Sequence, residues 1–383
     1  MRLFNLRIEK NDTSKLCIDV DYKGKISTLW YEVDNKYSKY LCTELADSFL
    51  VVLLLFAMKE NENIIIEDVP VSEILLFNIK NYLMPTLTKN IKKYNFINID
   101  ANTSNLKFTS NTHNGSGISR GVDSFCTLKE FTEDCPTDMK IDILTFFNIG
   151  AHGEYDSEKA FKLFKKRMIS SQKFALENGY SFLDVNTNIS DFILLDFEET
   201  HTFRNLSIVF ALQKLFKNYY YSSGINIEDF CISEKDTAFY DIYIMYLLSN
   251  QNVRFFSSGA SMTRLDKTRA IATYEPSYNN LSVCFKDDYN CGKCEKCVRT
   301  IYEFYSTNNL EKYKNVFNLD EFYSNKNWYE RKFWEFYFKN KGKLDYKITY
   351  QEMKKNKIHM KKINMIIGLD IAILKKIYHI VVK

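Results

Sequence analysis

An α/β fold, with a parallel twisted sheet and helices on both of its faces, is what residues 106–308 of this 383-residue chain predict. Three observations carry that prediction. Short apolar runs alternate with stretches of helical spacing throughout the region, the pattern that strand–helix–strand units leave in a sequence. Hydrophobic residues make up 45% of the chain and charged residues 26%, enough apolar material for a large core and for more than one domain. The longest apolar run, FLVVLLLFAM at residues 49–58, is about half the roughly 20 residues a membrane-spanning helix needs, so it reads as a buried helix.

Residues 1–105 read as an N-terminal α+β accessory domain. LCIDVDY and TLWYEV alternate as strands do, a helix follows at about 42–59, VSEILLFNIKNYLM has the spacing of a second helix, and FINIDA reads as a strand. From residue 106 a loop leads into a helix near Val122. IDILTFFNIG is then a strand, 157–178 a long amphipathic helix and SFLDVNT a strand. A helix through 206–216, a strand at 219–222, a helix at 240–248 and the strand VRFFSSG complete the alternation. Residues 309–383 are aromatic and basic and read as two or three helices. The last spaces Ile366, Leu369, Ile373 and Ile377 as one face, with Lys375 and Lys376 on another. Docking of that stripe against the rest of the protein is the preferred reading, and a membrane surface the second. There is no internal repeat and no Pro-rich linker.

Charge and cysteine content narrow the function classes. The balance of 52 basic against 48 acidic residues, net +4, is too even to argue for a nucleic-acid partner. The first residues, MRLFNLRIEK, carry charge from position 2 onward and hold no apolar segment of signal-peptide length, so the expectation is a cytoplasmic protein without a membrane span. Nine cysteines in such a chain fit a reducing compartment. Five of them, Cys17, Cys42, Cys126, Cys135 and Cys231, lie among apolar neighbours and read as small buried hydrophobes.

The other four, Cys284, Cys291, Cys294 and Cys297, follow the pattern C-x6-C-G-x-C-x2-C. Four soft ligands this close in the chain suit tetrahedral zinc. An iron–sulfur cluster is the alternative, although the C-x3-C-P element that accompanies many such clusters is missing.

A second motif is the run Ser119-Arg120-Gly121-Val122-Asp123-Ser124. A loop that opens a helix presents unpaired N–H groups and the positive end of the helix dipole to an anion. Gly121 lets the backbone approach a phosphate, the hydroxyls of Ser119 and Ser124 can donate to it, and Asp123 can help to hold a magnesium ion against a pyrophosphate. Further along, Ser257, Ser258 and Gly259 close a strand, and Arg264, Lys267 and Arg269 follow on a helix where they can meet a phosphate or a carboxylate. His201 and Arg204 precede another helix and are weaker candidates for the same cleft.

The loop resembles the SGGxDS loop of the PP-loop ATP pyrophosphatases, matching five of its six positions. With the cysteine cluster late in the chain, the sequence is similar to the branch that includes the 7-cyano-7-deazaguanine synthases. The resemblance implies a HUP-like PP-loop domain over 106–308, with ATP, Mg2+ and Zn2+ as cofactors. It also implies cleavage of ATP between the α and β phosphates to activate a carboxylate or amide oxygen on a small-molecule or carrier-bound substrate. Ammonia, an amine or a sulfur donor then displaces AMP to give an amide, nitrile or thioamide. On this reading Asp123, Arg264 and Lys267 are catalytic and residues 119–124 bind the nucleotide. Arg120 departs from the family, standing where its first glycine belongs, and a guanidinium on a phosphate is the reading preferred for it. The other readings are a nucleotide- and zinc-binding interaction protein whose catalysis is altered, and a tRNA-thiolating enzyme that holds RNA on its aromatic, basic end. The sequence is compatible with a homodimer.

Overall fold

Alternating burial builds the sheet. In the strand Ser14–Tyr22, Leu16, Ile18 and Val20 are buried on one face, and Leu29, Tyr31 and Val33 repeat the pattern in Lys25–Val33. The molecule is described as a computed structural model over residues 1–151, 158–340 and 344–381, with side chains to residue 378. Its ten strands are β1 (Arg2–Lys10), β2 (Ser14–Tyr22), β3 (Lys25–Val33), β4 (Ile64–Ser72), β5 (Ile99–Ser104), β6 (His113–Gly117), β7 (Ile143–Phe147), β8 (Ser181–Thr187), β9 (Phe216–Ser222) and β10 (Arg254–Ser258). They form one mixed, mostly parallel sheet in the order β10-β9-β6-β7-β8-β3-β2-β1-β4-β5. Among the described residues, antiparallel pairing is confined to β1 with β2, β2 with β3 and β3 with β8.

The chain divides into two compact units, Met1–Ile118 with Glu130–Ser261, and Ser119–Lys129 with Met262–Lys383. The whole sheet belongs to the first, and the expected boundary at residue 105 lies inside that unit. The N-terminal strands reach the parallel strands through β3 and β8, which pair at Tyr31 with Thr187 and Glu32 with Asn186. Where β8 ends, Asn188 continues the ladder with its side chain, accepting from Trp30 N at 2.9 Å and donating to Thr28 O at 2.9 Å. The apolar run at 49–58 is buried all round in the helix Asp47–Glu60, as its composition predicts, and packs on the helix Phe197–Ala211. That second helix starts earlier and stops sooner than the expected 206–216, because Phe216 already belongs to β9. The long helix runs Glu158–Glu177, and its expected first residue, 157, lies outside the described residues.

Three strands had no counterpart in the sequence reading: β1, β4 and β6. The last, HNGSG, contains no apolar residue and yet lies between β7 and β9. Gly115 explains how it fits. A Cβ there would lie 2.4 Å from Phe216 Cε1, so the ring fills the space a side chain would take. The strand order also reverses at β6, with β7 and β8 on one side and β9 and β10 on the other.

The second unit is helical. Among the described residues of 309–383 there are four α-helices, Leu319–Ser324, Lys326–Lys339, Leu344–Lys355 and Lys362–Val381, where two or three were expected. Its aromatic residues are largely core: Phe333 packs on Tyr302 at 4.8 Å between ring centres, and Trp334 on Tyr350 at 4.7 Å. The last helix corrects the sequence reading. It packs through Asn364 and Gly368, and a Cβ on Gly368 would lie 2.5 Å from Trp334 Cβ and 2.8 Å from Arg331 O. The closely approaching helix Lys326–Lys339 needs that bare backbone. The stripe expected to dock, Ile366, Leu369, Ile373 and Ile377, therefore faces outward.

Candidate active site and metal centre

All the residues singled out for the phosphate loop, the cations and the cysteines fall in the second unit. The loop passes through Ser119, Arg120 and Gly121 into the helix Val122–Glu130, of which the part to Lys129 lies in this unit. Ser119 Oγ accepts from Gly121 N at 3.3 Å, and Ser124 Oγ donates to Gly121 O at 3.0 Å. The turn is therefore fixed by its own hydroxyls, while the first helical N–H groups have no carbonyl one turn back to meet.

Arg120 has φ +57°, a left-handed conformation that a glycine would adopt at less cost. Its carbonyl accepts from Ser282 N at 2.8 Å, and its buried guanidinium is ion-paired with Asp288. The guanidinium expected on a phosphate is thus engaged by a carboxylate. Its Nε is buried without a hydrogen-bond partner. Burial lowers the guanidinium's pKa, and Asp288 works against that shift.

The three expected catalytic residues meet. Thr263 and Asp266 form a reciprocal capping box that starts the helix Arg264–Ile271 at Arg264, which sets Arg264 and Lys267 one turn apart on one face. Arg264 Nη1 lies 2.8 Å from Asp123 Oδ2, and Lys267 Nζ 3.1 Å from Asp123 Oδ1. Burial alone would raise the Asp123 pKa, but the charges of Arg264 and Lys267 outweigh it and hold the carboxyl down at about 2. Arg269 turns elsewhere, to Asp266 at 2.9 Å and Glu352 at 2.8 Å.

Behind this trio stands a carboxylate that the sequence reading missed. Glu303 is fully buried, 3.5 Å from Arg264 Nε, and accepts from Thr268 Oγ1 at 3.1 Å. Arg299 lies 3.5 Å from its other oxygen and reaches Asp345 at 3.0 Å. Burial raises the pKa of Glu303, and Arg264 and Arg299 offset part of that shift. Three cations and three carboxylates thus form one balanced chain, Lys267–Asp123–Arg264–Glu303–Arg299–Asp345. A clue was available: Glu303 interrupts the apolar run IYEFY four residues after Arg299.

The four cysteines converge as well. Their sulfurs all lie within 4.8 Å of one another, with Cys284 and Cys294 3.9 Å apart and Cys291 and Cys297 4.0 Å apart. A tetrahedron with metal–sulfur bonds of about 2.3 Å has edges of about 3.8 Å, so four thiolates here could hold a metal ion such as zinc. Gly292 turns the knuckle at φ +68°, Cys294 N donates to Cys291 Sγ at 3.3 Å, and Cys294 caps the helix Glu295–Ser306. Hydrogen bonding from Cys297 lowers the pKa of the Cys294 thiol to about 5, while that same bond and burial raise the pKa of Cys297. Of the other five cysteines, Cys17, Cys42 and Cys126 are buried as expected, whereas Cys135 is half-buried and Cys231 exposed.

Beside Arg120 and Asp288 opens a cleft of about 540 Å³, lined also by Tyr289, Lys314 and five asparagines that include Asn279 and Asn290. In the first unit, His201 and Arg204 have structural partners, and both lie within the helix Phe197–Ala211 instead of preceding one. His201 bonds Tyr221 OH at 2.7 Å and Asp236 Oδ1 at 3.0 Å. Arg204 is buried and donates to Thr200 Oγ1, Ile149 O, Ser190 Oγ and Leu195 O. Ser257 and Ser258 donate to Asp241 at 2.8 Å and Glu130 at 2.6 Å. Among the described residues no helix is long and apolar enough to cross a membrane. No family model matches the chain, and no curated protein or solved structure is detectably similar to it.

Proposed function

We propose that the protein is an ATP-dependent adenylating enzyme that forms AMP and pyrophosphate. One observation carries the reading: Arg264 and Lys267 converge on Asp123 in the first turn of the helix that the serine–glycine loop opens. That places two cations and a carboxylate beside a set of unpaired N–H groups, the equipment for holding a polyphosphate with its magnesium ion.

The loop N–H groups, the hydroxyls of Ser119 and Ser124, Arg264 and Lys267 hold the β and γ phosphates, and Asp123 would hold a magnesium ion, which would supply further positive charge against the leaving pyrophosphate. A carboxylate or amide oxygen of the acceptor attacks the α-phosphorus. The bond from that phosphorus to the bridging β-phosphate oxygen breaks, and pyrophosphate leaves with the electron pair onto the charges of Arg264 and Lys267. A nitrogen or sulfur nucleophile then displaces AMP from the adenylated carbon. We assign the acceptor to the cleft beside Arg120, whose asparagine amides offer both donors and acceptors to a polar group. Zinc, when bound by Cys284, Cys291, Cys294 and Cys297, supplies a structural clamp and takes no part in the transfer.

Calorimetric titration of magnesium-ATP into the metal-replete protein and its Asp123→Ala variant tests this. Binding to the parent that is lost in the variant is expected. Absence of binding to both would overturn it and leave the interaction protein held by its cysteine cluster, a reading that the Arg120–Asp288 pair favours.

A further inference from the structure

The cleft beside Arg120 is polar along most of its lining, and the charges it offers a ligand are few. Among the described residues three charged side chains line it, Arg120, Asp288 and Lys314. Arg120 and Asp288 neutralise each other in their ion pair. Lys314 is exposed, and its ammonium makes no hydrogen bond or ion pair with any described residue. The cleft thus presents one uncompensated positive charge, while its carboxylate is already engaged. That balance selects an anion over an amine or a zwitterion.

The asparagines select among anions. Part of each amide holds the loops that form the cleft: Asn280 Nδ2 donates to Pro276 O at 2.9 Å, Asn315 Nδ2 donates to Asn279 Oδ1 at 2.7 Å, and Asn318 Oδ1 accepts from Glu321 N at 3.0 Å. These bonds fix which end of each amide remains for a ligand. Asn279 and Asn318 keep an Nδ2 donor, whereas Asn280 and Asn315 keep an Oδ1 acceptor. Asn290 is fully engaged, donating to Leu281 O and Val316 O and accepting from Val283 N. Inorganic phosphate or a bare carboxylate brings mainly acceptors and would leave the two amide oxygens without donors. Hydroxyl groups both donate and accept, so they match both kinds of amide end.

We infer, resting on the assignment of the acceptor to this cleft, that the acceptor is a small polyhydroxylated carboxylic acid of the sugar-acid class. Its hydroxyls meet the amides of Asn279, Asn280, Asn315 and Asn318, and Lys314 offsets its negative charge. The volume of about 540 Å³ lies in the range of small-molecule sites.

Calorimetric titration of D-glucuronate, D-gluconate, D-glucose and D-glucosamine into the full, metal-replete chain, without nucleotide, tests the class. At least one of the two acids should bind, and glucose and glucosamine should bind at least about tenfold more weakly than that acid. Lys314→Ala should remove the preference for the acid over glucose, with unchanged far-ultraviolet circular dichroism and metal content. Asn315→Ala should weaken the acid while keeping that preference, which separates the amide from the charge. No saturable binding of either acid by the parent, equal binding of the acid by parent and Lys314→Ala, or tighter binding of glucosamine than of the acids would overturn the inference. Acid binding by a protein that fails to bind magnesium-ATP would support the cleft's ligand class and remove adenylation. Magnesium-ATP binding without acid binding would remove the sugar-acid class alone.

Discussion

Replacing Arg120 by glycine sets two effects of opposite sign against each other. The residue holds φ +57°, which costs a non-glycine residue about 1 kcal/mol that glycine would recover. Glycine also loosens the unfolded chain, which takes back about 0.4–1 kcal/mol, so the backbone contributions nearly cancel. Losing the guanidinium does not cancel. Its partner Asp288 has a side chain only 11% exposed, and removing one member of a buried ion pair costs about 3–5 kcal/mol. Arg120→Gly should therefore destabilise the second unit by about 3 kcal/mol, although it restores the residue that the phosphate-loop pattern prefers. The double variant Arg120→Gly/Asp288→Asn should recover about 2 kcal/mol of that loss, because the uncompensated carboxylate is gone. Urea unfolding followed by tryptophan fluorescence measures both. Trp328 and Trp334 lie in the second unit, and replacing Trp30 by Phe in every variant silences the first. An Arg120→Gly protein as stable as its parent, or a double variant no better than the single one, would show that the pair does not hold the loop.

Further expectations concern the metal, the trio and the sheet. Cys294→Ser should abolish binding of one equivalent of zinc and lower the unfolding temperature together, as read by colorimetric metal release and a thermal melt; a stable, metal-free variant would refute a structural cluster. Asp123 is depressed from 3.8 to about 2, a shift worth about 2.4 kcal/mol in full and about 1–2 kcal/mol once its 31% exposure is allowed for. Its stabilisation is present above the unfolded-state value and fades as pH falls from about 4 towards 2. Asp123→Asn should accordingly destabilise the protein at neutral pH by that amount, with the gap between the two urea curves closing over that acid range. Gly115→Ala should cost about 2 kcal/mol or more through the clash with Phe216, and much less in a Phe216→Leu background, as chemical denaturation of the pair of proteins would show.

Much of the parallel sheet was legible because its strands are apolar and bounded: β7, β8 and β10 emerge as ILTFF, SFLDVNT and RFFSS from runs that already read as strands. β6 was illegible for the same physical reason in reverse, since its place in the sheet depends on Phe216 filling the space above Gly115, a contact made 101 residues away in the chain. The cysteine cluster could be read from spacing alone because its ligands are local. The convergence of Asp123 with Arg264 and Lys267 could only be guessed, because nothing in residues 119–124 specifies partners more than 140 residues distant. Asp288 and Glu303 escaped notice because an acid between another acid and a tyrosine, or inside an aromatic helix, looks ordinary until its cation is seen. The stripe on the last helix was read with the correct period and the wrong side, since periodicity identifies a face but not what the face meets.

The segment between the first two cysteines of the cluster connects the cluster to the loop. Residues 285–290 form the excursion between Cys284 and Cys291, and the excursion carries Asp288, the ion-pair partner of Arg120. Ser282, two residues before the first ligand, donates its N–H to Arg120 O and its hydroxyl to Asp288 O at 2.7 Å. Asn290, one residue before the second, ties the excursion back to Leu281 O and Val316 O. A metal on the four sulfurs would close this excursion at both ends and so fix the position of the carboxylate that holds the loop's one left-handed arginine. Closing a short loop removes conformational freedom that Asp288 would otherwise have to lose on pairing, so the ion pair is stronger with the ends held than without. With a metal bound, the cysteines would act on the loop Ser119–Ser124 without touching it. They would keep a buried carboxylate where it can hold Arg120 in a backbone conformation that arginine would not choose by itself.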